Sequence, residues 1–204
     1  MSLYEDKNAI FNDMENHLLF DLRPSEFLNQ VSNEAIFSQP PFDMILRLKT
    51  TAQNHEHHPE GSVWNHTVIV VDEAAKRKGK SENPKAFMWA ALLHDIGKPS
   101  ATKVKKGKIT AYNHDKVGAC LAEQFLAEFD LNQQFIKNVS ALVRWHMQIL
   151  FVANDMPFTD VEAMKKEVNI NEVALLGLCD RLGRGRANIE KEEENIRLFL
   201  AKTQ

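Results

Sequence analysis

The sequence predicts an all-α fold, an irregular multi-helix bundle with one possible short β-hairpin. Apolar residues recur at three- and four-residue spacing along most of the 204 residues, which is the period of an amphipathic helix. Alternating patterns typical of strands are almost absent; residues 102–112, with Lys-Lys-Gly-Lys at their centre, are the exception. Proline, glycine and asparagine mark where the periodic stretches begin and end.

In the first half of the chain, several helix boundaries are recognisable. Pro24 lies in the first turn of a short helix, and Pro40-Pro41 breaks the chain before the next one. Residues 53–62 are polar and contain histidine, proline and glycine, so they are expected to form a loop. Asn83 is expected to cap a helix that has Pro84 at its first position. The helices predicted here cover residues 5–20, 24–31, 42–51, 63–77 and 84–96.

The second half begins at the end of that last helix. Gly97 is expected to supply a left-handed C-cap, and Pro99 prevents the helix from continuing. The hairpin predicted over residues 102–112 comes next, and only helical periodicity follows it. The helices predicted here cover residues 114–129, 132–151, 159–167, 171–182 and 188–202.

Length and composition predict one globular domain covering residues 1–204. Hydrophobic residues at 44% and charged residues at 26% exclude disordered and fibrous classes. The net charge of −3 argues against broad, unspecific nucleic-acid binding. The longest apolar run, residues 86–93, is far shorter than the ~20 residues of a membrane span, so no membrane partner is expected. Cys120 and Cys179 are interpreted as buried free thiols, which fits a cytoplasmic location.

Several apolar stripes carry a titratable residue where a hydrophobic one is expected. His66 lies three residues after Val63 and four before Val70, so it points inward with them. A single inward histidine is more often a hydrogen-bonded core residue, but one metal ion satisfies several buried polar groups at once. Mixed imidazole and carboxylate ligands suit Mn, Fe, Ni, Co or Zn better than Ca, and Mg less well. The inward-facing residues of this kind are His66, His94, Asp95, His114, His146 and Asp180.

These residues carry a resemblance to a known family. His66, then His94-Asp95 followed by Ile-Gly-Lys-Pro, then Asp180, resembles the signature of the HD-domain (HDIG-type) metal-dependent phosphohydrolase superfamily, over a core of about residues 42–186. Residues 59–67, 114–119 and 144–147 are similar to the HD domain of bacterial CCA-adding tRNA nucleotidyltransferases. The Gly-rich head of those enzymes has no counterpart in this sequence. A stand-alone hydrolase module is therefore expected, with its terminal helices packed on the core.

The resemblance implies one divalent ion held by His66, His94, Asp95 and Asp180. His114 and His146 match positions that recruit a second ion in some branches of the superfamily. The implied reaction is hydrolysis of a phosphomonoester or phosphodiester, of a nucleotide or an RNA end, by attack of water activated by the metal. Asp95 and Lys98 are the residues expected to act in catalysis. Phosphate-binding cations are expected among the residues that flank the motifs, namely Lys98, Arg144, Arg181 and Arg184.

Two other functions stay open at this point. The chain is alternatively a non-catalytic regulatory module that binds metal and a nucleotide, or an RNA-binding accessory. Lys103, Lys105, Lys106 and Lys108 either grip phosphates or form a solvated hairpin tip. Asp115 either orients a ligand or accepts a proton, or it stabilises the helix dipole. The loop histidines are either solvated or supply one residue, His58, to the cleft. Neither the natural substrate nor the oligomeric state follows from the sequence.

Overall fold

Helices dominate the computed structural model of the chain, which describes residues 6–204, and this confirms the all-α prediction. The helices are α1 (Lys7–Phe20), α2 (Pro24–Val31), α3 (Asp43–Leu46), α4 (Val63–Ala75), α5 (Pro84–Leu93), α6 (Lys98–Ala101), α7 (His114–Ala127), α8 (Gln133–Trp145), α9 (Gln148–Ala153), α10 (Val161–Glu167), α11 (Ile170–Leu182) and α12 (Ile189–Thr203). Short 3-10 turns occupy Ala35–Ser38, Arg47–Thr50 and Lys78–Lys80. Residue 5, the first of the predicted helix 5–20, lies outside the described residues.

The predicted hairpin is also confirmed. Strands β1 (Lys103–Lys105) and β2 (Lys108–Thr110) pair antiparallel, with Lys105 opposite Lys108. Lys106 and Gly107 form the turn, and both have positive φ. Because residues opposite each other share one face of the ribbon, Lys103, Lys105 and Lys108 project on the same side.

Side-chain caps begin α4, which carries His66, and α5, which ends at His94. The Ser62 hydroxyl accepts the Asn65 N–H at the start of α4, and the Asn83 side chain accepts the Ala86 N–H at the start of α5. Each cap satisfies a backbone donor that has no partner within the helix. The predicted boundaries at Ser62 and Asn83 are thus correct.

Several predicted helices are shorter than the periodicity indicates, and two of them end at a histidine. Helix α5 ends before His94, and the predicted helix 132–151 is broken at His146 into α8 and α9. The His94 Nδ1 donates to the Ala91 carbonyl at 2.8 Å, and the His146 Nδ1 donates to the Val143 carbonyl at 2.7 Å. Each imidazole N–H therefore donates to a backbone carbonyl in the last turn of its helix, and this hydrogen bond helps to end the helix.

The prediction of a left-handed cap at Gly97 is wrong. Gly97 has φ −79°, in the ordinary right-handed region. A Cβ atom at this position would lie 2.1 Å from the His114 carbonyl oxygen and 2.6 Å from the Gly118 nitrogen. Glycine is required here because the backbones before α6 and at the start of α7 touch. The prediction of two buried thiols is wrong at Cys120, which is exposed, and correct at Cys179.

The central helix of the bundle is α5, whose residues from Ala86 to Leu93 are all buried. It packs against α1, α4, α8 and α11, while α7 packs along α8. The helices that contain the predicted ligands therefore surround the carboxyl end of α5. Among residues 6–204, none of the helices is both long and apolar enough to cross a bilayer.

Candidate metal centre

The Asp95 carboxylate lies at the centre of a cluster of four imidazoles. Its Oδ2 lies 3.3 Å from the His94 Nε2 and 3.9 Å from the His66 Nε2. Its Oδ1 lies 3.4 Å from the His114 Nε2 and 4.0 Å from the His146 Nε2. The two carboxylate oxygens thus divide the histidines into two pairs. All five side chains are at most 9% exposed.

Three of these rings are oriented in the same way. In His94, His114 and His146 the Nδ1–H donates to the carbonyl three residues earlier, at 2.7 to 2.8 Å. A neutral imidazole that donates from Nδ1 keeps a lone pair on Nε2. The backbone therefore holds these rings with an acceptor nitrogen turned toward Asp95, as metal-ligating histidines require.

His66 is held by carboxylates. Its Nε2 lies 2.9 Å from the Asp180 Oδ1, and its Nδ1 lies 3.0 Å from the Glu60 Oε1. Burial opposes a charge on His66, but its contacts with Asp180 and Glu60 outweigh burial and raise the pKa of His66. Protonated His66 has an N–H on each ring nitrogen, so one N–H faces Asp180 and the other faces Glu60.

Electrostatics keep the other ligand atoms in the forms that bind metal. Burial favours the neutral acid of Asp95, yet the positive charge of Lys98 and the neighbouring His94 and His114 hold its pKa well below the usual range. The pKa of the Asp180 carboxyl is likewise lowered, because its contact with His66 and the charge of Arg184 outweigh the effect of burial. Burial, together with His114 and His94, lowers the pKa of His146 to about 4. Ionised carboxylates and a neutral imidazole are the states that metal coordination needs.

Unsatisfied polar atoms indicate that the cluster fits a cation. The His66 Nδ1 and the His94 Nε2 are buried and form no hydrogen bond with any residue from 6 to 204, and the Asp95 Oδ2 beside them is paired with the Lys98 ammonium at 2.7 Å. Such atoms are rare in native proteins and indicate an ion or water. The ligand atoms of His66, His94 and Asp95 lie within 4.8 Å of one another, as do those of Asp95, His114 and His146. Imidazole and carboxylate donors at this spacing fit a divalent transition-metal ion.

A cleft of about 440 Å³ opens onto the cluster. Asp95, His114, His146 and Asp180 line it together with cationic side chains. The Lys98 Nζ lies 2.7 Å from the Asp95 Oδ2 and donates to the Gln53 Oε1 at 3.0 Å. The cleft therefore combines predicted ligands with positive charge. Its cations are Lys98, Arg181 and Arg184.

The two arginines near Asp180 differ in their partners. Arg184 has a buried Nε that forms no hydrogen bond with the described residues. Arg181 is paired with Glu192 at 2.7 Å. The Arg184 Nε is thus a donor left for a ligand or water, whereas the Arg181 Nε and Nη2 donate to Glu192.

The predicted phosphate contact of Arg144 has no support in this geometry. Arg144 is paired with Asp115 at 2.6 Å and stacks over the Trp145 ring, and neither member of the pair lines the cleft. Asp115 lies in the first turn of α7 and forms this ion pair with Arg144. His58 does line the cleft.

Glu60 and Gln53 belong to the site but were not predicted as site residues. Glu60 lies six residues before His66 in a loop, where no periodic spacing relates the two. The sequence signal that could have identified Glu60 was the family similarity over residues 59–67, a range that contains Glu60 and His66. The close contact with His66 and hydrogen bonds from the loop backbone, His58 and the Gly185 N–H outweigh the effect of burial and lower the pKa of Glu60 to about 2.

Comparisons with known proteins give a family and relatives for the region that contains this cluster. The HD domain family matches residues 63–185. The chain is 40% identical over 73 residues to the multifunctional CCA protein of Actinobacillus pleuropneumoniae serotype 5b, which is 36% of this chain and 17% of that protein. It is 34% identical over 93 residues to the A-adding tRNA nucleotidyltransferase of Deinococcus radiodurans, 45% of this chain and 20% of that one. With the multifunctional CCA protein of Methylococcus capsulatus it shares 29% identity over 160 residues, 74% of this chain and 35% of that protein. The matched region is thus well under half of each relative.

Proposed function

Because the chain belongs to the HD domain family, we propose that it is a metal-dependent phosphohydrolase that cleaves a phosphomonoester or phosphodiester of a nucleotide or an RNA end. The observation that carries this proposal is the cluster around Asp95, where four imidazoles face one buried carboxylate. Substrate class and turnover go beyond the family match, and the contacts of the cleft support them.

The residues that would hold the metal are the ones already brought together. His66, His94, Asp95 and Asp180 would hold one ion, and His114 and His146 would hold a second one with Asp95 between them. When bound, a divalent ion supplies positive charge beside a phosphoryl oxygen and lowers the pKa of water from about 15.7 to roughly 7. Mn, Fe, Co, Ni and Zn suit these ligands, and Mg suits them less well.

Lys98 and Arg184 would bind and orient the phosphate. Phosphoryl transfer depends on positioning and on positive charge near the phosphoryl oxygens. The Lys98 ammonium is fixed by Asp95 and Gln53 at the floor of the cleft, and the Arg184 guanidinium has a free buried donor among the described residues. Their charges are thus positioned before a substrate arrives, which avoids reorganisation during the reaction.

The size and rim of the cleft favour a nucleotide or RNA end. Its volume of about 440 Å³ lies in the range of small-molecule sites. The β1–β2 hairpin forms part of the wall through Thr102, Ile109 and Thr110. Its exposed lysines form no ion pair within residues 6–204, so they are available to phosphates outside the cleft. These lysines are Lys103, Lys105, Lys106 and Lys108.

The same hairpin favours a second candidate function, an RNA-binding accessory without turnover. Tyr112 next to it is 74% exposed, and an exposed aromatic ring beside lysines is typical of single-strand binding. The two functions differ in one observable: the accessory binds an RNA end and leaves its phosphate ester intact, whereas the hydrolase releases product.

The test is a panel of nucleoside monophosphates, a cyclic nucleotide and a short RNA with a terminal phosphate, each assayed with Mn, Fe, Co, Ni, Zn and Mg. We expect turnover by the wild type and a loss of at least about 100-fold in Asp95→Asn. Asp130→Asn, which removes an exposed carboxylate on the surface, is the control and should keep full activity. Equal activity of both variants, or no turnover with any metal, would contradict the proposal.

A further inference from the structure

We infer that Glu60 is a positioning residue that holds the His66 ring and ties the loop before α4 to the segment after α11. The inference rests on the proposed metal site only for the role of His66 as a ligand. Glu60 would not touch metal or substrate and would act through His66.

The contacts of Glu60 connect separate parts of the site. Its side chain is only 4% exposed. The Oε1 lies 3.0 Å from the His66 Nδ1 and accepts a hydrogen bond from the His58 Nδ1 at 2.8 Å. The Oε2 accepts the Gly185 N–H at 3.2 Å. One buried carboxylate therefore contacts the loop, α4 and the end of α11.

His66 needs such a partner because it lacks the one that the other rings have. His94, His114 and His146 each donate from Nδ1 to the carbonyl three residues earlier. The His66 Nδ1 is buried and forms no aligned hydrogen bond with any described residue, and the Glu60 carboxylate is the charged group beside it. Glu60 thus takes the place that the backbone has behind the other histidines.

A carboxylate behind an imidazole has a defined effect on metal binding. It fixes the ring orientation and the tautomer with the proton on Nδ1, and it makes Nε2 a stronger ligand. The His66 Nε2 is the nitrogen that faces Asp180 and Asp95. Loss of Glu60 would therefore weaken one ligand without removing it.

The contact with Gly185 extends this effect to the other end of the site. Gly185 follows the end of α11, the helix that carries Asp180, and directly follows Arg184. Asp180 and His66 are in contact at 2.9 Å, so Glu60 supports both members of this pair from behind. Its removal should loosen the Arg184 segment as well as the His66 ring.

The experiment compares Glu60→Ala, Glu60→Gln and the control Glu56→Gln, an exposed carboxylate in the same loop. Mn²⁺ affinity of the metal-free proteins is measured by calorimetry. We expect Glu60→Ala to bind about 10- to 100-fold more weakly than the wild type, Glu60→Gln to recover part of the loss, and Glu56→Gln to bind normally.

A second readout separates positioning from a general structural role. Long-range ¹H–¹⁵N spectra of the Zn²⁺-loaded proteins report the tautomer of each imidazole. In Glu60→Ala the signals of His66 and His58 should change, while those of His94, His114 and His146 stay as in the wild type.

The two outcomes that overturn the inference are an unchanged Mn²⁺ affinity in Glu60→Ala and a concerted change of all the imidazole signals. Absence of hydrolysis by a wild type that still binds Mn²⁺ more tightly than Glu60→Ala would contradict the proposed function and leave the inference standing.

Discussion

The Nε2 atoms of His114 and His146 lie 3.3 Å apart, and each ring donates its Nδ1–H to a backbone carbonyl. Two neutral rings held in this way direct their lone pairs at each other, beside the Asp95 Oδ1. A proton between them is disfavoured, because burial and the neighbouring histidines lower the pKa of His146 to about 4. A second divalent ion would satisfy both nitrogens and the carboxylate oxygen together.

We therefore predict that the loaded protein binds two ions and that His146→Ala binds one. The remaining ion would stay with His66 and His94, because their contacts with Asp95 use the other oxygen. Elemental analysis after dialysis against metal gives the ratio, with His55→Ala, an exposed histidine, as the control. One ion in the wild type and one in His146→Ala would contradict the prediction.

Gly97→Ala should destabilise the fold and disturb the His114 backbone. The added Cβ would meet the His114 carbonyl oxygen at 2.1 Å, and backbone atoms cannot move aside cheaply. We expect a loss of about 3 kcal/mol in the free energy of unfolding, measured in urea. Gly79→Ala is the matched control, since a Cβ there meets nothing within 4 Å, and it should cost less than about 1 kcal/mol. Equal stability of the two variants would refute the close-approach explanation.

The hairpin lysines should control the salt dependence of RNA binding. Replacing Lys103, Lys105, Lys106 and Lys108 by Gln should weaken binding of a short single-stranded RNA and lower the slope of log Kd against log salt by about 2 to 3, at ~0.7 per phosphate contact. Fluorescence anisotropy at several salt concentrations measures this. The control replaces four exposed lysines that lie on helices α8, α10 and α12, namely Lys137, Lys165, Lys166 and Lys191.

The lysine prediction has a clear negative result. If both quadruple variants show the wild-type slope, the hairpin does not contact phosphates. If hydrolysis of mononucleotides is lost in the hairpin variant and kept in the control, the lysines act inside the cleft and not at its rim.

His58 should make the metal-free protein less stable as the solution is acidified below neutral pH. Burial, Lys98 and His66 lower its pKa to about 4, against 6.5 for an unperturbed histidine. Between these values the unfolded chain takes up a proton that the folded protein does not bind, so stability rises with pH in this range. In His58→Gln the dependence between pH 6.5 and 5 should decrease by up to about 1.4 kcal/mol per pH unit. Urea unfolding in EDTA measures it, and a slope like that of His55→Gln, the exposed control, would contradict it.

Helical spacing predicted which of these side chains point to the interior. His66 shares the stripe of Val63 and Val70, and all three are buried. Arg184 lies two residues beyond the end of α11, and it lines the cleft together with Asp180. Arg144 lies on α8, two residues before His146. Because successive residues on a helix point about 100° apart, the Arg144 side chain does not share the direction of His146.

The rest of the site depends on tertiary contacts that no local period encodes. Glu60 reaches His66 and Gly185 across a loop, and 125 residues separate it from Gly185. Gln53 contacts Lys98 from another loop position, 45 residues away. The role of Gly97 was misjudged for the same reason, because the sequence shows a glycine after a helix but not the backbone that touches it.

The most direct test of the metal centre is anomalous X-ray scattering from crystals grown with Zn²⁺. We predict a peak within about 2.1 Å of the Asp95 Oδ2 and of the His94 Nε2, a buried atom that forms no hydrogen bond with the described residues. His66 and Asp180 should complete its ligands. Crystals in which the zinc signal is absent between these atoms, with His66 and Asp180 still in direct contact, would contradict the account.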